Sequence, residues 1–258
     1  MEFNCLIPEL RVSDLEKSKM FYTKILGFKI EYEREDFAMV VLGKCQIMLQ
    51  QLILPSVEGS WNVSEDMKYP FGRGINLQII LPDISIVYNS LRHNNIKLFI
   101  DLLLSDYQEN DLNNHVLEFL VQDPDGYLLR FQQEVEDWCF ADDKETADLL
   151  FNLVKKGDKI ATSYIYEEHM NLNKGFSVLT NWDKTERIIL QTTKIYVTPF
   201  KNVTKQHAYK EGEDDKTIKS WKNIHKRFFS EQLSKHGLLF QDDTRIVCEE
   251  FNVVKNTI

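Results

Sequence analysis

Val121-Gln-Asp-Pro-Asp-Gly-Tyr-Leu-Leu-Arg-Phe131 spells a β-hairpin. Asp123-Pro-Asp-Gly126 suits a type I turn: proline presets φ, and the glycine falls where a bulge needs a positive φ. The apolar runs on either side read as strands. Upstream, one structural phrase occurs twice. Its first copy opens Arg11-Val-Ser-Asp-Leu15, continues as an amphipathic stretch and closes at Leu26-Gly27-Phe28. The second opens Leu81-Pro-Asp-Ile84 and closes at Asn94-Asn-Ile96. The offset, about seventy residues, is too long for a solenoid repeat and right for a duplicated half-domain. Each copy reads strand, helix, three strands, and two such units pair to enclose a cleft.

In the first copy, a strand is expected over Leu6 to Val12, with Ser13-x-x-Glu16 as a capping box. Leu15, Ser18, Phe21, Tyr22 and Ile25 mark one helical face, and Gly27 is the stop. The loop from Leu52 to Gly72 carries Trp61, Phe71 and the acids Glu58, Glu65 and Asp66. Loops this long in a compact domain tend to be functional.

The 258 residues suit two domains, with 43% apolar and 28% charged side chains. No apolar run is long enough to span a bilayer and no signal peptide opens the chain, so a cytoplasmic protein without membrane contact is expected. Cys5, Cys45, Cys139 and Cys248 are widely spaced, which favours reduced thiols. The net charge of −9 is uneven: through Gln133 there are 12 basic against 19 acidic residues, and afterwards 19 against 21. An acidic first half argues against nucleic acid there and tolerates a cationic ligand.

The acid-rich segment from Glu134 to Glu145 marks a boundary, giving domains 1–135 and 136–258. Beyond it the sequence predicts a helix from Thr146 to Lys156, strands near Phe176–Thr180 and Arg187–Val197, a helix over Thr217 to Lys235 and a last strand at Arg245–Val254. Lys216, Lys219, Lys222, Lys226 and Arg227 form a basic stripe, a solvated helix face or a phosphate contact.

Val12-Ser-Asp-Leu-Glu-Lys-Ser18, Phe21-Tyr22, Leu26-Gly27-Phe28 and Asp123-Pro-Asp-Gly126 together resemble the glyoxalase/bleomycin-resistance superfamily, the vicinal oxygen chelate proteins, over roughly residues 3–133. The resemblance implies paired βαβββ units whose strands converge, in the enzymes, on a divalent metal. At the matching positions stand Ile7, Asn76 and Arg130, which are not metal ligands, so no metal and no cofactor is expected. It implies instead the metal-free branch that binds a bulky cationic antibiotic, usually as a homodimer. Phe37, Trp61, Phe71 and Asn76 are the candidate ligand contacts, with aromatic plates and acids suited to a flat cation.

Gly157-Asp-Lys-Ile-Ala-Thr162, His207-Ala-Tyr-Lys-Glu211-Gly-Glu213, Trp221-Lys-Asn-Ile-His225 and Val247-Cys-Glu-Glu-Phe-Asn-Val253 resemble an ASCH domain, a small β-barrel with flanking helices related to the PUA fold. Members that hydrolyse N4-acetylcytidine use a Lys, a Thr three residues later and a distant Glu. These fall on Lys159, Thr162 and Glu211, as base, nucleophile and proton carrier. Tyr164 stands where those enzymes have Arg, and counts as a ligand contact. The expected class is α+β, with a duplicated domain followed by a small barrel. The expected function is small-molecule binding in the first domain and recognition of a nucleoside or RNA-like ligand in the second. The alternatives are an N-acylated nucleoside amidohydrolase and an RNA-binding module.

Overall fold

A computed structural model describes residues 3–53, 67–109, 112–170, 172 and 175–257. The chain divides into two compact units, Met1–Glu134 and Val135–Ile258.

The first unit is built from two copies of one module. In the first, β1 (Glu9–Val12) leads into α1 (Leu15–Met20), which continues as a π-helical turn (Phe21–Ile25) and is followed by β2 (Lys29–Arg34), β3 (Phe37–Leu42) and β4 (Cys45–Gln51). The second repeats this with β5 (Asn76–Ile80), α2 (Ser85–His93), β6 (Leu98–Glu109), β7 (Leu112–Gln122) and β8 (Leu128–Glu134). Their strand orders, β1-β4-β3-β2 and β5-β8-β7-β6, are equivalent, each with its first strand parallel to its last. The repeat extends to single hydrogen bonds. Gln51 at the end of β4 accepts from the Leu15 N–H, and Gln133 near the end of β8 accepts from the Ile84 N–H.

The cap of α1 differs from the expected Ser13. Asp14 is the cap residue and accepts from the Lys17 N–H at 3.0 Å, while the Ser13 N–H donates to Asp125. The hairpin turn is therefore also the clasp between modules. Asp125 accepts from the Ser13 N–H at 3.0 Å and the Ser18 hydroxyl at 3.2 Å. Asp123 accepts from the Tyr22 hydroxyl at 3.1 Å and from the Asp125 and Tyr127 N–H groups. Gly126 at φ 86° lies so close to Pro70 that an added Cβ would come within 2.4 Å of it. The two modules thus close on each other within one chain.

In the second unit, β9 (Asp137–Trp138) and α3 (Lys144–Lys156) precede β10 (Ala161–Ile165), β11 (Phe176–Thr180) and β12 (Arg187–Pro199); α4 (Lys205–Glu211), α5 (Ile218–Lys235) and β13 (Arg245–Thr257) complete it. The strand order is β10-β13-β12-β11-β9. The expected barrel is therefore an open five-stranded sheet among the described residues: β10 and β9 are its ends, and two-residue β9 is too short to reach across. Phe151 and Val154 of α3 pack with Leu179, Ile188 and Phe251 on one side. Phe200, Trp221, Phe229 and Ile246 form a second cluster. Among the described residues no helix is long and apolar enough to cross a membrane.

Candidate functional site

In the second unit, the turn between α3 and β10 drops Lys159 into the interior, where its side chain is 1% exposed. Its ammonium lies 3.1 Å from Glu211 Oε2 and 2.6 Å from Glu213 Oε1, beneath the Phe140 ring at 5.2 Å. Glu211 ends α4, and Gly212 turns the chain so that Glu213 also faces the lysine. That turn requires glycine: φ is 70°, and a Cβ would lie 2.1 Å from the Asp158 carbonyl oxygen. Burial alone would pull the Lys159 ammonium down, but the two carboxylates outweigh it and hold the group above its ordinary range. For Glu211, burial pushes up, and Lys159 with His207 and His225 brings the carboxyl well below the usual value.

Glu211 is the hub of the cluster. Its Oε1 accepts from the Ser163 hydroxyl at 2.6 Å and from the Trp221 indole N–H at 2.7 Å. Ser163 Oγ gives its proton to Glu211, so it accepts from His207 Nε2 at 2.9 Å. Proton flow through this chain is the reverse of a serine–histidine nucleophile pair. Among the described residues His207 Nδ1 has no hydrogen-bond partner. Burial lowers the His207 imidazole, but contacts with Cys248 and Glu211 prevail and raise it to about 9, again unlike a base.

Against this cluster lies a cavity of about 750 Å³. One wall is the segment from Trp138 to Asp143, another is the face of α5 carrying Ile224, Phe228 and Gln232, and β10 supplies the floor. Thr162 and Tyr164 line it, as do Ser163, Glu211, Glu213, His225 and Glu249. Thr162 is half-buried and pairs across the sheet with Glu249, on the strand face opposite Ser163. Tyr164 donates to Glu249 at 3.2 Å, and Thr192 donates to the same carboxylate at 2.5 Å. Lys159 and Glu211 are thus brought together, Thr162 and Tyr164 share the cavity wall, and the lysine stands behind it. Sequence reasoning passed over Ser163 and His207. The signal for His207 was its four-residue spacing from Glu211, one helical turn.

Glu211, Glu213 and His225 bring three donor atoms within 4.8 Å of one another. They do not fit a divalent ion, because the Lys159 ammonium already supplies the positive charge between the carboxylates. The basic stripe lies elsewhere on α5. Lys219, Lys222 and Lys226, three and four residues apart, share a face that the cavity-lining Ile224, Phe228 and Gln232 do not. Lys216 pairs with Asp158 and Lys226 with Asp242. Arg227 alone of the stripe borders the cavity.

In the first unit the candidate contacts occupy different settings. Phe37 is 2% exposed, stacked on Tyr32 with the Arg34 guanidinium 4.3 Å from its centroid, so its ring faces are taken. Phe71 packs edge-on against Tyr127, and Asn76 is exposed at the start of β5. Trp61, Glu58, Glu65 and Asp66 lie outside the described residues. Arg130 hydrogen-bonds Gln78 and lies 3.8 Å from Glu118. Glu118 is 5% exposed and accepts from Ser105, Tyr107 and Gln132. Burial raises its carboxyl, and these donors return it below the ordinary value. A cation and its tied carboxylate on adjacent strands do not fit a metal centre.

Residues 136–255 match the ASCH domain model, and residues 5–43 match a bleomycin resistance protein-like N-terminal domain. Among solved structures, an ASCH domain from Lactobacillus crispatus JV V101 is 29% identical, with 46% of this chain and 78% of that chain covered and a TM-score of 0.44. A glyoxalase/bleomycin resistance protein/dioxygenase from Alicyclobacillus acidocaldarius is 20% identical over 52% of this chain and 92% of that one, TM-score 0.37. No curated protein matches. Duplicated modules clasped by an Asp-Pro-Asp-Gly turn, then an open sheet around a buried Lys–Glu pair, stand beside these matches: the chain carries a bleomycin resistance protein-like N-terminal segment and an ASCH domain.

Proposed function

We propose that the C-terminal unit is a receptor for a small planar ligand of nucleoside type, attached to a metal-free small-molecule-binding domain. The cavity between the Trp138–Asp143 segment and α5 carries this reading. It has room for a nucleoside, and aromatic rings stand in its walls at Trp138, Phe140 and Phe228. Titrating the protein with cytidine and N4-acetylcytidine should change the fluorescence of wall residue Trp138 saturably. Phe228→Ala, a substitution at a side chain 37% exposed, should weaken binding by roughly 5- to 100-fold, the worth of one base–aromatic contact. A flat titration, or equal affinity in the variant, would count against it. Bleomycin is the corresponding probe for the first unit.

Hydrolysis of an N-acylated nucleoside is the second reading, supported by the 3.1 Å Lys159–Glu211 contact behind a wall that contains Thr162. A lysine kept charged by two carboxylates is not a base. Its part would be to fix Glu211, leaving Glu249, the cross-strand partner of Thr162, to receive the threonine proton. The binding reading expects N4-acetylcytidine to survive incubation. Acetate release that disappears in Thr162→Val would establish the enzyme instead.

A further inference from the structure

We infer that the open face of the β5-β8-β7-β6 sheet receives the carboxylate of a small organic acid, held by Arg130. This rests on the reading of the first unit as a metal-free small-molecule-binding domain and names the chemistry of its ligand. Three features of that face carry it.

The first is that the face is uncovered by its own helix. α2 packs on the other side of the sheet, where Tyr88 meets Phe119 and Phe119 stacks on Phe131. Side chains alternate along a strand, so Gln78 on β5, Arg130 and Gln132 on β8 and Glu118 on β7 point away from α2. Asn76, Gln78 and Ile80 are exposed there, while Ile79 between them is buried.

The second is the unequal depth of the two charges. Glu118 keeps 6% of its side chain in solvent and Arg130 keeps 25%. Neutral donors already serve the carboxylate: Ser105 at 2.6 Å and Tyr107 at 2.8 Å on Oε1, and Gln132 at 2.7 Å on Oε2. The guanidinium lies 3.8 Å from it, beyond hydrogen-bond reach. A ligand approaching this face therefore meets the cation first. A cationic ligand would find the acid behind it occupied.

The third is a surplus of donors. A guanidinium carries five N–H groups. Arg130 gives one from Nη2 to Gln78 and one from Nη1, at 3.5 Å, to the Tyr107 oxygen. Each Nη atom thus keeps one N–H free among the described residues, and the buried Nε–H has no acceptor there either. Donors left unpaired cost free energy that an incoming acceptor returns. Two parallel acceptors on one planar group answer the pair of Nη atoms, and that is the shape of a carboxylate. Ile80, 65% exposed and two residues from Gln78 on the same strand face, offers contact for an apolar body.

The test is titration of the full chain with benzoate, benzamide and benzamidine, which share a ring and differ in the charge of the head group, beside bleomycin. Binding is followed at the Arg130 Nε–H signal by ¹⁵N NMR, assigned through its loss in Arg130→Lys. The acid-rich first half opposes an anion at long range, so the buffer holds about 0.15 M salt, which screens charges beyond about 8 Å. Benzoate should shift the Arg130 signal saturably and bind roughly tenfold more tightly than benzamide, with benzamidine weaker still. Gln78→Glu, at an exposed position, sets a carboxylate of the chain itself against the guanidinium and should weaken benzoate roughly tenfold without loss of fold. Arg130→Lys keeps the charge but loses the paired donors, and should weaken benzoate too. Benzoate that is silent or no tighter than benzamidine, or that is undisturbed by Gln78→Glu, would overturn the inference. A saturable response to bleomycin would then leave the small-molecule-binding reading standing, whereas silence from all four probes would remove both.

Discussion

Lys159→Met is expected to destabilise the C-terminal unit by about 3–5 kcal/mol, since it strands two carboxylates that depend on one buried ammonium. Glu211 is 1% exposed and Glu213 has only 18% of its side chain in solvent, so water cannot take the place of the lysine. The double variant Lys159→Met with Glu213→Gln should recover part of the loss. Glu211 then keeps Ser163 and Trp221 as donors while one stranded charge is gone. Two units need not unfold together, so hydrogen exchange across α4 and β10 is the proper readout. The pair also sets a pH window. Glu211, with its carboxyl held down, stabilises the fold above the unfolded value of 4.5 and loses that contribution as pH falls through the folded value. Lys159, held up, stabilises below 10.5 and loses its contribution as pH rises through the folded value. The contribution is therefore full between these limits, and an unchanged melting profile in Lys159→Met would contradict it.

A second large effect is expected at the clasp of the N-terminal unit. Asp125 is 3% exposed, and its carboxylate serves the Ser13 N–H and the Ser18 hydroxyl of the other module. Asp125→Ala leaves both donors without this acceptor; Ser13 is exposed and can turn to water, but the Ser18 hydroxyl is buried, so the cost is about 1–3 kcal/mol. Asp125→Asn keeps one acceptor oxygen and should cost less than half as much. Denaturant titration distinguishes them, and equal midpoints for wild type and Asp125→Ala would show that the turn is a hairpin and nothing more.

This clasp was half legible in the sequence. Asp123-Pro-Asp-Gly126 announced a turn because proline and glycine act locally on φ. Its carboxylates reach Ser18 and Tyr22 across more than a hundred residues, and no local pattern carries that. The duplication was legible throughout, since each module repeats the same order of hydrophobic periods. The barrel was not, because closing a sheet depends on the length and register of its end strands, and β9 is only two residues long. At the site, Lys159 and Glu211 were named from their motif, while Ser163 hid behind Thr162. Adjacent residues on a strand face opposite ways, so a sequence motif cannot say which hydroxyl meets the glutamate. Phe37 illustrates the converse: an aromatic on a strand of a cleft-forming module reads as a ligand plate, yet Tyr32 and Arg34 already cover it.

The central claim is that Lys159 is a permanent internal cation that shapes the pocket from behind and does not act as a base within it. Following the Lys159 side-chain nitrogen by ¹⁵N NMR through an alkaline titration addresses this directly. A signal that stays in the ammonium form past the ordinary lysine value of 10.5 is the expected result. Deprotonation near neutral pH would contradict the claim and give the site a free amine for catalysis.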